Sequence, residues 1–237
     1  MWIIYDFLFL QQVPLGLAWK VHGNFYISDG KKNRPKVVNS LQNHLRTVFV
    51  ENDYKWIVIF PEGWFLDRGI AKSHQFAAKN NYPHLNRVLL PRTTAAITVL
   101  QTCQEIATDR SNLLEFVLDF TIAYPKGKHP TFGQTLSGNC EDSRDVHVHV
   151  RAYPISTVPI KEENLFREWI FARWMEKEEM LEQFYKSDRF PADSTSGYTV
   201  THSLFKILFL ELFFIVLFFL QLYCIYLMTL QALRLLQ

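Results

Sequence analysis

The order of apolar segments predicts an α/β chain, a largely parallel β-sheet flanked by helices with a transmembrane helix at the carboxyl end. Three observations carry that expectation. Short β-branched or aromatic runs alternate with segments of helical period between residues 23 and 190, the βαβ arrangement from which parallel sheets are built. Trp56 to Phe60 is apolar at five consecutive positions, as a strand covered on both faces has to be. The run ILFLELFFIVLFFLQLYCIYLMTL, Ile207 to Leu230, holds 24 residues, about 36 Å of helix and enough for a bilayer's hydrocarbon core.

The first 22 residues are apolar but broken by Asp6, Gln11, Gln12 and Pro14. They lack the basic start and small-residue cleavage site of a secretory signal, so an interfacial or core helix is expected over 1–22. Asn24 to Ile27 follow Gly23 as a short strand, and Pro35 opens a helix at a first-turn position, where its missing N–H costs nothing. Val37, Leu41, Leu45 and Phe49 then recur every four residues on one face. After the strand Trp56 to Phe60 comes a helix from about Ile70 to Asn80, stopped by Asn80, Asn81 and Pro83. Arg87 to Leu90 reads as a further strand, and Thr93 as the N-cap of a helix bearing Ile97, Leu100 and Glu105.

Two longer strands follow, Leu114 to Tyr124 and Val146 to Tyr153, around the polar loop Pro125 to Arg144. In the second, Val146, Val148 and Val150 alternate with His147, His149 and Arg151. Zinc sites take three or four protein ligands, and no third ligand accompanies the two histidines, so that side is read as solvated or ligand-facing and no metal is expected. Phe166, Ile170, Trp174, Leu181 and Phe184 lie at helical spacing in Glu163 to Lys186, a helix expected to pack on the sheet. The domain reading is thus 1–22 apolar segment, 23–190 α/β domain, 191–203 linker and 204–232 transmembrane helix. Lys206 and Arg234 put one cation on each side of the last, so orientation is not set.

Composition narrows the function classes. Net charge is +2, which offers no basic field for nucleic acid. Cys103, Cys140 and Cys224 are odd in number and widely spaced, which points to a reducing compartment. No Gly-x-Ser-x-Gly occurs, which removes a nucleophile-elbow hydrolase. Chemistry concentrates instead in Phe60-Pro61-Glu62-Gly63, where a lone carboxylate sits at a strand's carboxyl end, the place where open α/β sheets bind ligands. The other reading of the same residues is an ordinary Pro-Glu-Gly turn.

Phe60-Pro61-Glu62-Gly63, with Gly23-Asn24-Phe25-Tyr26-Ile27 before it and Val88-Leu89-Leu90-Pro91 after it, resembles the third, second and fourth blocks of the membrane-bound glycerolipid acyltransferases. KWIVIFPEGWFL, FAAKNNYPHL, LPRTTA, DFTIAYPKG, VHVHVRAYPI and EKEEMLEQFY look like the acyl-CoA:lysophosphatidylglycerol acyltransferase branch, so the likeness covers nearly the whole chain. It implies acyl transfer from acyl-CoA, a co-substrate and not a cofactor, to the hydroxyl of a lysophospholipid at the endoplasmic reticulum membrane, with the α/β domain cytosolic. A hydroxyl is a weak nucleophile and needs a general base, which the family supplies as His-x4-Asp. None of the eight histidines has an aspartate five residues on. The family places that block further upstream of the second block than the 22 residues before Gly23 allow, so the expectation is a fold incomplete at its amino end, with Met1 an alternative start or the sequence a partial gene model.

The resemblance carries substrate-binding roles to Gly23, Phe60, Pro61, Glu62, Gly63 and Pro91. The second block's usual arginine is replaced by Asp29, leaving Lys31, Lys32 and Arg34 to serve; the third block's Thr-Arg is replaced by Trp64 and Phe65, with Arg68 slightly later. Cations of this kind hold phosphate through charge-assisted hydrogen bonds. Glu62 is expected to orient the acceptor rather than act as the base, and no catalytic residue is assigned. The missing His-x4-Asp also supports a second reading, a non-catalytic membrane protein that binds lipid or pairs with a complete acyltransferase.

Overall fold

The structure is a computed structural model in which residues 1–5, 14–27, 34–107, 113–131, 134, 137, 145–190 and 203–235 are described. The chain divides into two compact units, Met1–Asp193 and Ser194–Gln237.

The first unit holds a parallel sheet of three strands, order β2–β1–β3, formed by β1 (Trp2–Tyr5), β2 (Phe25–Ile27) and β3 (Val58–Ile59). Its central strand comes from the segment expected to be helical. Ile3 and Ile4 are both buried, so neighbouring positions on opposite faces are covered, and a short run buried on both faces has no period that separates strand from helix. The residues after 13 do form a helix, α1 (Pro14–Val21). The third strand is shorter than Trp56 to Phe60, because β3 lies at the sheet edge and pairs only with β1, through Trp2↔Val58 and Ile3↔Ile59. Trp56 and Phe60, beyond the ladder, are exposed.

Helix α2 (Arg34–His44) runs on into one π-helical turn, Leu45–Phe49. The four-residue spacing of Leu41, Leu45 and Phe49 buries all three, with Val37 partly buried beside them, against Met1, Ile3 and Phe25. Helices α3 (Leu66–Lys79) and α4 (Thr93–Ala107) follow. Between them Arg87 to Leu90 is not a strand: Val88, Leu89 and Leu90 are buried, yet no ladder includes them.

β4 (Phe116–Ala123) and β5 (His147–Pro154) do not extend the parallel sheet. They pair antiparallel as a separate two-stranded sheet, with Phe120↔Val150 in register. Its inward face meets α5 (Glu163–Ser187), whose Phe166, Ile170, Trp174, Leu181 and Phe184 are buried as their spacing predicts. That inward face is mixed: Val117, Ala123 and Tyr153 join the apolar core, with charged side chains among them. Asp119 Oδ1 pairs with Lys177 Nζ at 2.5 Å, Asp119 Oδ2 with Arg151 at 2.6 Å, and Arg151 also reaches Glu176. His147 and His149, expected on a solvated or ligand-facing side, are exposed and half-buried respectively, and their rings also meet Phe184 and Phe190, with centroids 5.0 and 5.3 Å away; no metal-binding cluster occurs among the described residues.

The second unit contains α6 (Leu204–Leu235). Its described large apolar side chains, Phe213, Phe214 and Phe218 among them, are exposed. The expected membrane crossing is corrected here: among the described residues no helix is long and apolar enough to cross a membrane. The expected linker over 191–203 lies almost wholly outside the described residues.

Candidate functional site

Pro61 ends β3 because it has no N–H for a ladder. The chain then turns, with Gly63 N–H donating to the Phe60 carbonyl at 3.0 Å and Gly63 at φ +63°, a conformation that glycine adopts without strain. The turn reading and the strand-tip reading of this tetrapeptide are therefore both realised. Glu62 projects into the structure, and its Oε2 accepts the Leu89 N–H at 3.0 Å.

That bond explains why 86–92 needs no strand partner. Glu178 of α5 accepts the N–H groups of Asn86, Arg87 and Val88 at 2.6, 2.8 and 3.2 Å. Ser73 Oγ accepts that of Leu90 at 3.0 Å, and the Pro61 carbonyl that of Arg92 at 2.7 Å; Pro91 has none to satisfy. Buried backbone groups require partners, and two carboxylates and a hydroxyl supply them in place of a strand. The third and fourth blocks are thereby fastened together through Glu62, with Pro91 buried at the junction.

Burial raises the pKa of Glu62; the Leu89 N–H, the Lys177 charge and the Trp174 indole oppose that rise, while Glu178 adds to it. The Trp174 Nε1 is buried and makes no hydrogen bond of acceptable geometry, so it acts on Glu62 as a nearby dipole. The carboxylate thus belongs to an acidic and basic cluster drawn from the β3 tip, β4 and α5. Lys177 and Glu178 were not singled out by sequence reasoning. Their one signal was charge on a helix otherwise read by its apolar face.

Arg92 lies on the Gly63 turn: a Cβ built on Gly63 would stand 3.3 Å from the Arg92 Cδ and Nε. Gly69 is equally constrained, since a Cβ there would lie 2.4 Å from Leu89 Cδ1. Arg34 donates to Thr94 Oγ1 at the start of α4, so Arg34 and Arg92 both flank that helix's first turn. Arg68 is exposed on α3. Gly23 ends the turn after α1 at φ +73°, its N–H bonded to the Lys20 carbonyl and its own carbonyl 2.9 Å from His44 Nε2. Lys31 and Lys32 lie outside the described residues. An apolar cleft of about 200 Å³, lined by Tyr82, Pro83, Leu90, Phe171 and Met175, opens beside the fourth block, smaller than the roughly 300–1,000 Å³ of typical ligand sites.

No described histidine ring is paired with a carboxylate in this arrangement. His74 Nε2 lies 2.8 Å from the Leu85 carbonyl and its ring stacks on His84 at 4.7 Å. The cluster can hold a loop and present charge; no nucleophile and base stand side by side in it.

Residues 136–214 match the family described as Acyltransferase C-terminus, and the curated proteins that match along most of the chain are glycerolipid and lysophospholipid acyltransferases. The chain is similar to glycerolipid acyltransferases along most of its length. It is 36% identical over 204 residues to acyl-CoA:lysophosphatidylglycerol acyltransferase 1 of Mus musculus, covering 81% of this chain and 54% of that protein. The human protein of that name is 35% identical over 81% of this chain and 54% of its own length. The putative 1-acyl-sn-glycerol-3-phosphate acyltransferase acl-12 of Caenorhabditis elegans is 31% identical over 90% of this chain and 55% of its own length. The chain thus spans about half the length of these relatives. No solved structure matches it significantly.

Proposed function

We propose that this chain is part of an acyl-CoA-dependent acyltransferase of phospholipid remodelling, transferring an acyl group to the hydroxyl of a lysophospholipid such as lysophosphatidylglycerol. One observation carries the reading: Glu62 joins the third block to the fourth by its bond to Leu89, so residues distant in sequence form one pre-set corner at a strand tip, where α/β sheets bind ligands. In this role Glu62 holds the acceptor region in place, and Arg92 and Arg34 offer guanidinium groups to the lysophospholipid phosphate. Arg92 joins Arg68 as a candidate cation for that phosphate. A hydroxyl acceptor needs a general base; no His-x4-Asp occurs in these 237 residues, and none of them is assigned that role.

The exposed apolar side chains of α6 support work at a lipid surface, and the endoplasmic reticulum membrane, with the α/β unit on its cytosolic side, is the proposed location. The test is transfer from labelled oleoyl-CoA to a panel of lysophospholipids, using membranes that contain this chain or a fusion carrying a relative's His-x4-Asp segment. Transfer by the fusion that disappears with Glu62→Ala supports the enzyme reading. Absence of transfer to every acceptor refutes it and leaves a lipid-binding protein, the reading favoured by the absent His-x4-Asp.

A further inference from the structure

We propose that Glu178 is a positioning residue for the lysophospholipid acceptor, touching no substrate itself and acting through the 86–92 segment on Glu62 and Arg92. The inference rests on the reading that the chain is part of an acyltransferase, and it gives α5 a part in the reaction. Glu178 lies within 136–214, the stretch that matches the Acyltransferase C-terminus family, while every backbone group it holds precedes that stretch.

The segment hangs between two ends. Glu178 accepts the N–H groups of Asn86, Arg87 and Val88 at its start, and the Pro61 carbonyl accepts that of Arg92 at its finish. Between them the Leu89 N–H reaches Glu62 and the Leu90 N–H reaches Ser73. With no ladder, the backbone takes its path from these acceptors, and one carboxylate supplies three of the six bonds, all charge-assisted. Slack at Val88 passes directly to Leu89, whose N–H fixes the Glu62 carboxylate, and onward to Arg92, which lies against the Gly63 turn. Glu178 is itself firmly placed. It is 7% exposed, and its neighbour Lys177 donates to the Phe120 carbonyl at 2.6 Å and pairs with Asp119 Oδ1 at 2.5 Å. Adjacent helical residues point about 100° apart, so one turn of α5 ties β4 on one side to the acceptor corner on the other. Groups that grip an acceptor alike in ground and transition states show their loosening in KM and spare kcat.

The experiment has two parts. Hydrogen exchange, read by mass spectrometry on the full chain in detergent, compares the unsubstituted protein with Glu178→Ala, Glu178→Gln and Phe166→Leu. Phe166 is buried on α5 about three turns from Glu178 and controls for lost packing. Kinetics on the fusion described above then vary lysophosphatidylglycerol and oleoyl-CoA separately. The expected result is faster exchange at 89–92 with alanine, less so with glutamine, and none with Phe166→Leu. The KM for lysophosphatidylglycerol rises about five- to fiftyfold with alanine, under the roughly 10²-fold that a 1 Å misplacement can cost. It rises less with glutamine, while kcat and the KM for oleoyl-CoA stay within about twofold. Where alanine yields no folded protein, Glu178→Gln against Phe166→Leu makes the same decision. Unchanged exchange at 89–92 overturns the proposal, as does an equal rise in acceptor KM with Phe166→Leu or a joint rise in both KM values. Faster exchange with an unmoved acceptor KM makes Glu178 an anchor only, and the proposal fails while the enzyme reading stands. If the unsubstituted fusion transfers to no acceptor, the enzyme reading falls and the proposal with it.

Discussion

Replacing Glu178 by alanine tests the account of 86–92 most directly. Three backbone N–H groups lose their acceptor at once, those of Asn86, Arg87 and Val88. A buried donor left unsatisfied costs about 1–3 kcal/mol. Asn86 and Arg87 are exposed residues and only Val88 is buried, so water recovers part of the loss and the total comes to about 2–4 kcal/mol. Glu178→Gln keeps one carbonyl oxygen in place, enough for one or two of the three donors, and costs about half as much. The assay is thermal or urea unfolding of the full chain in detergent, followed by circular dichroism. At roughly 2–4 °C per kcal/mol for a unit of this size, alanine lowers Tm by about 4–16 °C and glutamine by clearly less. Equal losses for the two, or an alanine effect below about 1 °C, would refute the claim that this carboxylate replaces a strand.

Asp119→Ala removes the anion that faces buried Lys177 and half-buried Arg151, and an uncompensated buried charge costs about 3 kcal/mol or more; a milder Asp119→Ala than Glu176→Ala in the same unfolding assay contradicts the network. Gly63→Ala forces an alanine to φ +63° and its Cβ to 3.3 Å from Arg92, a loss of about 1–2 kcal/mol that Arg92→Ala relieves in part if that contact contributes, as a double-mutant cycle will tell. Glu62 has its folded pKa raised by burial, so the folded state holds its proton more tightly than the unfolded chain. Its contribution to stability is present below the ordinary carboxylate range and declines as pH rises through the raised value. Glu62→Gln accordingly flattens the fall in stability above the ordinary range, and an unchanged pH profile would show that Glu62 does not carry it.

Much of this was legible in the residues. Leu41, Leu45 and Phe49, and the run from Phe166 to Phe184, gave their helices and buried faces correctly because helical period is a local property that tertiary contacts seldom reverse. The Phe60–Gly63 motif marked a corner of the site for a similar reason: proline and glycine impose their geometry wherever they stand. Trp2–Tyr5 and Arg87–Leu90 show where local reading stops. Both are short apolar runs, and one is the central strand of a sheet while the other is no strand at all.

The sequence by itself determined the helices, the alternation that makes an α/β unit, the ordered blocks of an acyltransferase and the absence of His-x4-Asp. Only the tertiary structure decided which apolar runs became strands, that β4 and β5 form their own antiparallel sheet, and what Glu62 and Glu178 hold. The reason is that a backbone N–H takes any acceptor that reaches it. For Val88 that acceptor sits 90 residues away on α5, a distance at which no local pattern reports it.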